Sequence, residues 1–309
     1  MKNKLTFFVL GFFAFAVIVL FIHATVDSSN SYFPFIKSNA KQENLALPIQ
    51  NAYAVKIPAK VSFAGEEVPL DDPEVRERLD RELTVNSYWQ SSTIIMLKRA
   101  NRFLPTIEKV LKEEAVPDDF KYLCMAESGL DNVVSPSGAS GFWQFMRGTA
   151  PSYGLFISTE IDERYNLEKA TLAACKYLLE AKNTTGSWAA AAAGYNMGIV
   201  GIQNQINKQG SSNYYDLYLN SETSRYLSRI IALKLIYENQ NNYGFYIDKD
   251  DLYPVLATKE IEVNGSEDWY NFAKNNNTSY KMIRKLNPWI REPKLINKEK
   301  RTYFVSIPK

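Results

Sequence analysis

One carboxylic acid in this 309-residue sequence lies on an otherwise apolar helix face. Four residues share that face at the spacing i, i+3, i+4 and i+7: Phe120, Leu123, Cys124 and Glu127. Pro117 would begin the helix and Gly129 would end it. Loss of water and the negative helix end would both raise the pKa of Glu127, so that it could donate a proton near neutral pH. The alternative is a helix-terminal glutamate that points into solvent.

A loop rich in glycine and aromatic residues begins eight residues after Glu127 and runs from Ser135 to Met146. Gly138 and Gly141 permit a tight backbone path close to a ligand. The loop also carries groups that suit the hydroxyls and C–H faces of a sugar: Phe142, Trp143, Gln144 and Phe145. A packed structural turn would use the same residue types, so the loop alone leaves both interpretations open.

A third segment is an alanine-rich helix that Ser187 would cap and Gly198 would end. Its alanines allow close packing against neighbouring helices. We expect Tyr195 and Asn196, at the C-terminal end of this helix, to face the groove that those neighbours form. The alternative is a buried tyrosine whose hydroxyl is satisfied within the protein.

Scarce residue types restrict the chemistry further. The only histidine, His23, lies at the end of the apolar N-terminal run, which excludes Ser-His and Cys-His catalysis and nearly all zinc hydrolases. Cys124 and Cys175 are the only two cysteines, and they are either buried free thiols or one disulfide. Neither a metal nor a cofactor is expected. A net charge of +2 without a basic stripe argues against nucleic acid as a partner.

The N-terminus has the pattern of an export signal. Lys2 and Lys4 precede an apolar run that ends at Ile22. The run is just long enough to cross a bilayer, so residues 1–24 are predicted to be an uncleaved membrane anchor, with a cleaved signal peptide as the alternative. The polar residues 25–60 are predicted to be a linker.

Helical periodicity dominates residues 61–245, which we expect to form one mainly α domain. Asp71 or Asp72 can cap a first helix that begins at Pro73, and Pro105 should end or kink the next helix. Five further segments have helical patterns: 117–128, 168–182, 187–197, 199–208 and 222–238. Residues 246–309 are predicted to form a separate small α+β module of strand, two short helices and strand.

Four groups of residues resemble, in this order, the motifs of lytic transglycosylases with a lysozyme-like fold: Glu127-Ser128, 138–146, 194–198 and 222–226. The likeness covers about 65–245 and is greatest to the membrane-bound lytic murein transglycosylase D group. It implies that Glu127 is the catalytic acid/base. It also implies a glycan groove lined by six residues: Ser135, Gln144, Met146, Tyr195, Asn196 and Tyr226. Gly194 replaces the usual alanine of the family, and the lipid-anchor cysteine common in that group is absent near the N-terminal run.

The C-terminal module resembles a divergent LysM repeat. The likeness lies in Trp269-Tyr-Asn-Phe-Ala273 and in Leu286-Asn-Pro288. LysM modules bind glycans that contain N-acetylglucosamine, so the resemblance implies a second contact with peptidoglycan. A purely structural cap is the alternative.

The transglycosylase resemblance implies an enzyme of the bacterial envelope, periplasmic and tethered by its N-terminal segment. Its substrate would be the bond between N-acetylmuramic acid and N-acetylglucosamine, cleaved without water to a 1,6-anhydro product. A hydrolytic muramidase of goose-lysozyme type is the first alternative, because glycosidases ordinarily use two carboxylates and Asp131 could be the second. We favour a solvated turn residue for Asp131. An inactive, membrane-tethered glycan-binding scaffold is the other alternative.

Overall fold

The structure, a computed structural model, describes residues 53–309 and is mainly helical, as predicted. In this part of the chain, seven α-helices precede the C-terminal module: α1 (Pro73–Tyr88), α2 (Gln90–Glu113), α3 (Phe120–Ser128), α4 (Leu167–Thr185), α5 (Trp188–Met197), α6 (Ile199–Gln209) and α7 (Ser221–Glu238). A hairpin of β1 (Ser62–Phe63) and β2 (Glu66–Glu67) precedes α1. The predicted anchor at 1–24 and the predicted linker up to residue 52 lie outside the described residues.

The predicted cap of the first helix is confirmed. The Asp72 carboxylate accepts hydrogen bonds from the backbone amides of Glu74 and Val75, and Pro73 occupies the first helical position. Of the two effects predicted for Pro105, a helix end or a kink, the helix end does not occur, because α2 continues through Pro105 to Glu113. A continuous buried face on both sides of the proline, including Leu104, packs on the core and offsets the lost backbone hydrogen bond.

The helix that carries Glu127 begins three residues later than predicted. Residues 117–119 form a turn instead, in which the Phe120 amide donates to the carbonyl of Pro117 (3.1 Å). Asp119 makes tertiary contacts in this turn: its carboxylate accepts from the amide of Ala64 (2.7 Å) and pairs with Lys234 (2.8 Å). At the other end, Gly129 takes a left-handed conformation with φ +60°, which confirms the predicted stop.

The centre of the helical domain is α7, which is buried over most of its circumference and packs against α1, α3 and α5. The five consecutive alanines of α5, 189–193, are all buried and let this helix pack closely against α4, α6 and α7. Both cysteines are buried free thiols, which confirms the first of the two alternatives. Burial raises the pKa of the Cys175 thiol to about 12.

The C-terminal module has the predicted order of strand, two helices and strand. Strand β3 (Thr258–Val263) pairs antiparallel with β6 (Tyr303–Pro308), in a register that places Thr258 opposite Pro308. Helices α8 (Trp269–Asn275) and α9 (Tyr280–Leu286) lie between them in sequence, and β4 (Glu267–Asp268) pairs with β5 (Lys294–Leu295). The core of this module includes Ile161 and Tyr165 from the helical domain, so the two regions share a buried surface.

Membrane-spanning helices were sought among the described residues. None of the helices within residues 53–309 is both long enough and apolar enough to cross a bilayer.

Candidate active site

Glu127 lies in the last turn of α3, where the buried face of the helix reaches the surface. Phe120, Leu123 and Cys124, its neighbours on that face, are completely buried. Solvent reaches part of Glu127, but protein atoms surround most of its carboxyl group. Tyr226 of α7 donates its hydroxyl hydrogen to Oε1 of Glu127. The acid therefore has a fixed partner and a largely dry environment, as the helix periodicity predicted.

The environment of Glu127 favours its protonated form. The pKa of Glu127 is raised to about 7, mainly by desolvation and to a smaller extent by the nearby charge of Glu222. The Tyr226 hydrogen bond and the positive charge of Arg229 act in the opposite direction. Burial is the largest of these effects, so the net shift is upward and the carboxyl can hold or release a proton near neutral pH.

Tyr226 is suited to remain a hydrogen-bond donor. It is almost completely buried, and desolvation together with the Glu127 charge raises the pKa of its hydroxyl far above the usual value. A hydroxyl that does not ionise stabilises the carboxylate form of Glu127 by donating to it.

The loop 133–146, which we call the active-site loop, is a packed turn. Ser140 forms isolated β-bridges with Val134 and with Phe145. The Ser135 hydroxyl accepts a hydrogen bond from the amide of Ala139 (3.0 Å), so Ser135 closes the turn locally. Gly141 has φ +82°, and a Cβ there would overlap the carbonyl oxygen of Arg164.

The aromatic rings of the active-site loop are buried, so they offer no stacking surface to a sugar. Phe142, Trp143 and Phe145 are 3%, 0% and 4% exposed. Trp143 instead donates its indole N–H to the hydroxyl of Thr171 (2.8 Å). The apolar area of these rings stabilises the fold more when it is buried than when it is exposed to solvent. The alternative of a packed structural turn therefore applies to these three residues.

Gln144 is partly exposed, like Ser135, and Met146 is the most exposed predicted groove residue of this loop. Gln144 has a left-handed backbone, with φ +49°, and its Nε2 donates to the carbonyls of Val133 (3.1 Å) and Gly141 (2.7 Å). Both hydrogen bonds use the amide nitrogen, which fixes the orientation of the side-chain amide. Met146 is 44% exposed.

At the end of α5, the hydroxyl of Tyr195 donates to the carbonyl of Trp143 (2.7 Å). This is the alternative of a tyrosine satisfied within the protein, and it links α5 to the active-site loop. The charge of Glu127 contributes to the raised pKa of the Tyr195 hydroxyl, so the two side chains lie near each other. Asn196 accepts a hydrogen bond from the Thr223 hydroxyl (2.7 Å), one turn before Tyr226. Glu127, Tyr195, Asn196 and Tyr226 therefore come together where α3, α5 and α7 meet.

A pocket of about 490 Å³ borders the C-terminal end of α3 and contains residues that the sequence analysis missed. Arg225 and Arg229 of α7 line it, together with Trp89, which is 64% exposed. Both arginines pair with buried Glu82, at 2.9 Å and 3.5 Å. The available signal was the i, i+4 spacing of the two arginines around Tyr226 on a helix that is otherwise mainly apolar.

Asp131 lies in the turn after α3, half-exposed, and forms an ion pair with Arg99 (2.6 Å). It is a turn residue as favoured, although it is ion-paired and not simply solvated. The structure gives no contact between Asp131 and Glu127 among the described residues. Within residues 53–309, no cluster of three or more histidine, cysteine or acidic side chains has a geometry that could hold a metal ion.

Comparison with known proteins identifies two domains in the chain. Residues 105–218 match the transglycosylase SLT domain. The chain contains an SLT domain. Residues 259–309 match the C-terminal LysM-like domain of soluble lytic transglycosylases, so the SLT domain is followed by a LysM-like domain. The match to the SLT domain begins inside α2 and ends before α7, so the Tyr226 partner of Glu127 lies outside the matched residues.

Two curated proteins are similar to the chain over 205 residues at 28% identity. Both are membrane-bound lytic murein transglycosylase D, one from Escherichia coli strain K12 and one from Escherichia coli O6:H1 strain CFT073. The similarity covers 63% of this chain and 44% of each relative, so the chain spans less than half the length of the relatives that it matches. Three of the four motif groups that first indicated a transglycosylase lie within the residues that match the SLT domain, and the group at 222–226 lies just beyond them. The resemblance to this family is confirmed.

Proposed function

We propose that the protein is a lytic transglycosylase of bacterial peptidoglycan and that Glu127 is its acid and base. The observation that carries this proposal is a single carboxyl group, with a pKa raised to about 7 by burial and a hydrogen bond from Tyr226, beside an SLT domain loop. The substrate is the β-1,4 bond between N-acetylmuramic acid and N-acetylglucosamine. The SLT domain and the names of the similar proteins support this substrate class.

The reaction needs one proton to be given and one to be taken back. Protonated Glu127 donates its proton to the glycosidic oxygen as the bond from that oxygen to muramyl C1 breaks, so N-acetylglucosamine leaves with a free hydroxyl. The acetamido oxygen of the substrate stabilises the positive charge at C1. Ionised Glu127 then accepts the proton of the muramyl C6 hydroxyl, whose oxygen closes onto C1. The product is 1,6-anhydro-N-acetylmuramic acid, and Glu127 is protonated again.

The environment of Glu127 suits both halves of this cycle. With a pKa of about 7, Glu127 is available near neutral pH both as the acid that the first transfer needs and as the carboxylate that the second needs. Tyr226 stabilises the carboxylate after the first transfer, and burial restores the preference for the acid in the second. The substrate supplies the nucleophile, so a second carboxylate of the enzyme is unnecessary.

The glycan strand would contact the accessible residues around Glu127. We assign direct contact to Gln144, Met146 and Asn196, while Ser135 and Tyr195 hold the walls of the groove through their own internal hydrogen bonds. The pocket beside α3 extends the groove. Trp89 offers its exposed ring to the C–H face of a sugar, and Arg225 and Arg229 offer positive charge to substrate carboxylates.

The proposed cellular setting is the bacterial envelope. Residues 1–24 would tether the enzyme to the membrane from the periplasmic side, and the LysM-like domain would lie near the same glycan. The lysine-flanked apolar run and the similarity to membrane-bound enzymes support this setting.

The deciding experiment is digestion of purified peptidoglycan sacculi, with mass spectrometry of the soluble fragments. Products that end in 1,6-anhydro-N-acetylmuramic acid, absent with Glu127→Gln, are the expected result. Fragments with reducing muramic acid would replace the proposal with a muramidase. Sacculi that are bound but left intact by the wild-type chain would replace it with a glycan-binding scaffold.

A further inference from the structure

The LysM-like domain is built onto a segment of the SLT domain that we call the docking segment, residues 156–165. Ile161 of this segment forms a β-bridge with Ile290 of the C-terminal module. Backbone hydrogen bonds flank the bridge on both sides: the Arg291 amide donates to the carbonyl of Glu160 (2.7 Å), and the Asp162 amide donates to the carbonyl of Trp289 (2.9 Å). The contact is thus an ordered strand-like pairing.

Side chains complete this contact. The Glu160 carboxylate accepts from the amides of Ile296 (3.0 Å) and Asn297 (3.4 Å). The Arg291 guanidinium lies 4.2 Å from the ring centre of Tyr165, and Ile161 is buried in the core of the module. A region of about 50 residues buries little apolar area by itself, so the SLT domain supplies part of the core that the module needs.

The other side of the docking segment holds the active-site loop. Asp162 and Arg164 form a buried ion pair, in which Nε lies 3.0 Å from Oδ1 and an NH2 group 2.7 Å from Oδ2. The remaining guanidinium nitrogen donates to the carbonyls of Gly138 (3.2 Å) and Phe145 (3.1 Å). One planar side chain therefore joins the module-bound segment to both ends of the 138–145 turn.

We propose that the C-terminal module holds the active-site loop in its working geometry through the Asp162–Arg164 pair, with Arg164 as a positioning residue. The path has three contacts: the Trp289 carbonyl with the Asp162 amide, the Asp162 carboxylate with Arg164, and Arg164 with the loop carbonyls. The catalytic part of this proposal rests on the proposed function, and the structural part does not.

Loosening of the docking segment would change the positions of groups beside Glu127. The active-site loop carries Gln144, and its Trp143 carbonyl is the acceptor that holds Tyr195 beside Glu127. If the hydrogen bonds from Arg164 to the carbonyls of Gly138 and Phe145 broke, the loop could shift. The side chains of Gln144 and Tyr195 would then no longer be held at fixed positions beside Glu127. Small misplacements of positioning groups reduce the rate of the chemical step more than they reduce binding.

The test compares two buried substitutions in the full chain. Ile161→Ala removes side-chain volume at the domain contact, and Leu79→Ala removes a similar buried volume from α1, outside that contact. Amide hydrogen exchange of residues 138–145 is measured by mass spectrometry at a temperature where circular dichroism shows both variants folded. We expect exchange in this segment to rise tenfold or more with Ile161→Ala and to stay within twofold of wild type with Leu79→Ala.

Steady-state kinetics on soluble glycan strands gives the second reading. Ile161→Ala should lower kcat about 10- to 100-fold, with KM changed less than threefold. The pH dependence of kcat should stay as in wild type, because the surroundings of Glu127 are unchanged. Arg164→Lys keeps the charge but not the planar fork. Arg164→Lys should raise amide exchange in residues 138–145 and leave amide exchange in 289–297 unchanged. Ile161→Ala should raise amide exchange in both segments.

The opposite pattern would overturn the proposal. If Ile161→Ala raised exchange in 289–297 alone, with residues 138–145 and kcat as in wild type, the module would not act on the loop. If the wild-type chain failed to cleave glycan, the proposed function would fall, and the exchange measurements would still decide the coupling.

Discussion

The two sides of the candidate active site, the α3–α7 pair and the active-site loop, are held in place by different interactions. On the helical side, apolar burial positions Glu127 and Tyr226, because the faces that carry them continue into the core. On the loop side, hydrogen bonds from Arg164 and Tyr195 to backbone carbonyls fix the chain path. Burial on the helical side sets the proton affinity of the acid, whereas in the proposed function the loop would set where the substrate lies relative to that acid.

This difference separates two kinds of defect. Changes on the helical side should alter the pH dependence of the reaction, because they change the desolvation or the hydrogen bond of Glu127. Changes on the loop side should alter rate and local order with the pH dependence retained.

The largest effect is expected for Glu127→Gln. The amide cannot donate or accept the proton that the cycle requires, so turnover should fall at least 1000-fold. Release of soluble fragments from sacculi measures this loss. Residual activity of one tenth or more of wild type would contradict the assignment of Glu127.

The same variant has a signature in stability. The folded-state pKa of Glu127 is about 7, above its usual 4.5, so its contribution to stability is fully present below pH 4.5 and is lost as pH rises through 7. Glu127→Gln removes this dependence. The unfolding free energy of the variant minus that of wild type should therefore be larger at pH 8 than at pH 4, by about 1–3 kcal/mol. Urea unfolding at the two pH values measures the difference, and an equal effect at both would contradict it.

On the loop side, the largest effect is expected for Gly141→Ala. The added Cβ would overlap the carbonyl of Arg164, a backbone atom that cannot move alone, so we expect a loss of about 3 kcal/mol or more. Gly138→Ala is the matched control, because Gly138 has a similar φ of +85° but open space around its Cβ position. That variant should lose about 1–2 kcal/mol, from backbone strain alone. Equal losses in thermal unfolding would show that the loop does not depend on its contact with the docking segment.

The two tyrosines offer a direct comparison of the two sides. Tyr226→Phe removes the hydrogen bond that lowers the pKa of Glu127, so the pKa should rise. In the proposed cycle Glu127 must be protonated to begin the reaction, so activity should be lost as pH rises through this pKa. We expect the alkaline limb of kcat/KM to move to higher pH and kcat to fall about 10- to 100-fold.

Tyr195→Phe removes a hydroxyl of the same kind whose hydrogen bond goes to the Trp143 carbonyl. We expect a comparable fall in kcat without movement of the alkaline limb. The pH profile of kcat/KM for both variants decides this comparison. If Tyr195→Phe moved the limb as far as Tyr226→Phe, the separation between the two sides would be wrong.

The sequence predicted the helical side well because its information is periodic. The i, i+3, i+4, i+7 pattern ending at Glu127 identified a buried face with an acid at its rim, and the all-round apolar character of α7 identified a core helix. The start of α3 was misplaced because the Asp119 carboxylate is used in contacts with Ala64 and Lys234, which lie far away in sequence.

The loop side was predicted less well because its structure depends on distant partners. For Trp143 and its aromatic neighbours the sequence left a sugar-binding surface and a packed turn both open. Their buried position depends on distant partners: the Thr171 hydroxyl and the rings of Phe103, Tyr153 and Tyr195. Arg164 was not among the predicted site residues. No local pattern could show that it joins the module-bound segment to the active-site loop.

The smallest effect is expected for Trp89→Ala, outside both sides of the comparison. Its ring is 64% exposed in the pocket beside α3, so its loss should leave thermal stability nearly unchanged. If the glycan strand continues into this pocket, KM for soluble strands should rise about 3- to 10-fold with kcat retained, because stacking would be lost equally from the bound ground and transition states. Tyr246→Ala removes another exposed aromatic ring, 78% exposed, that does not line the pocket, and should leave both constants unchanged. An unchanged KM for Trp89→Ala would confine the glycan to the groove between Glu127 and the active-site loop.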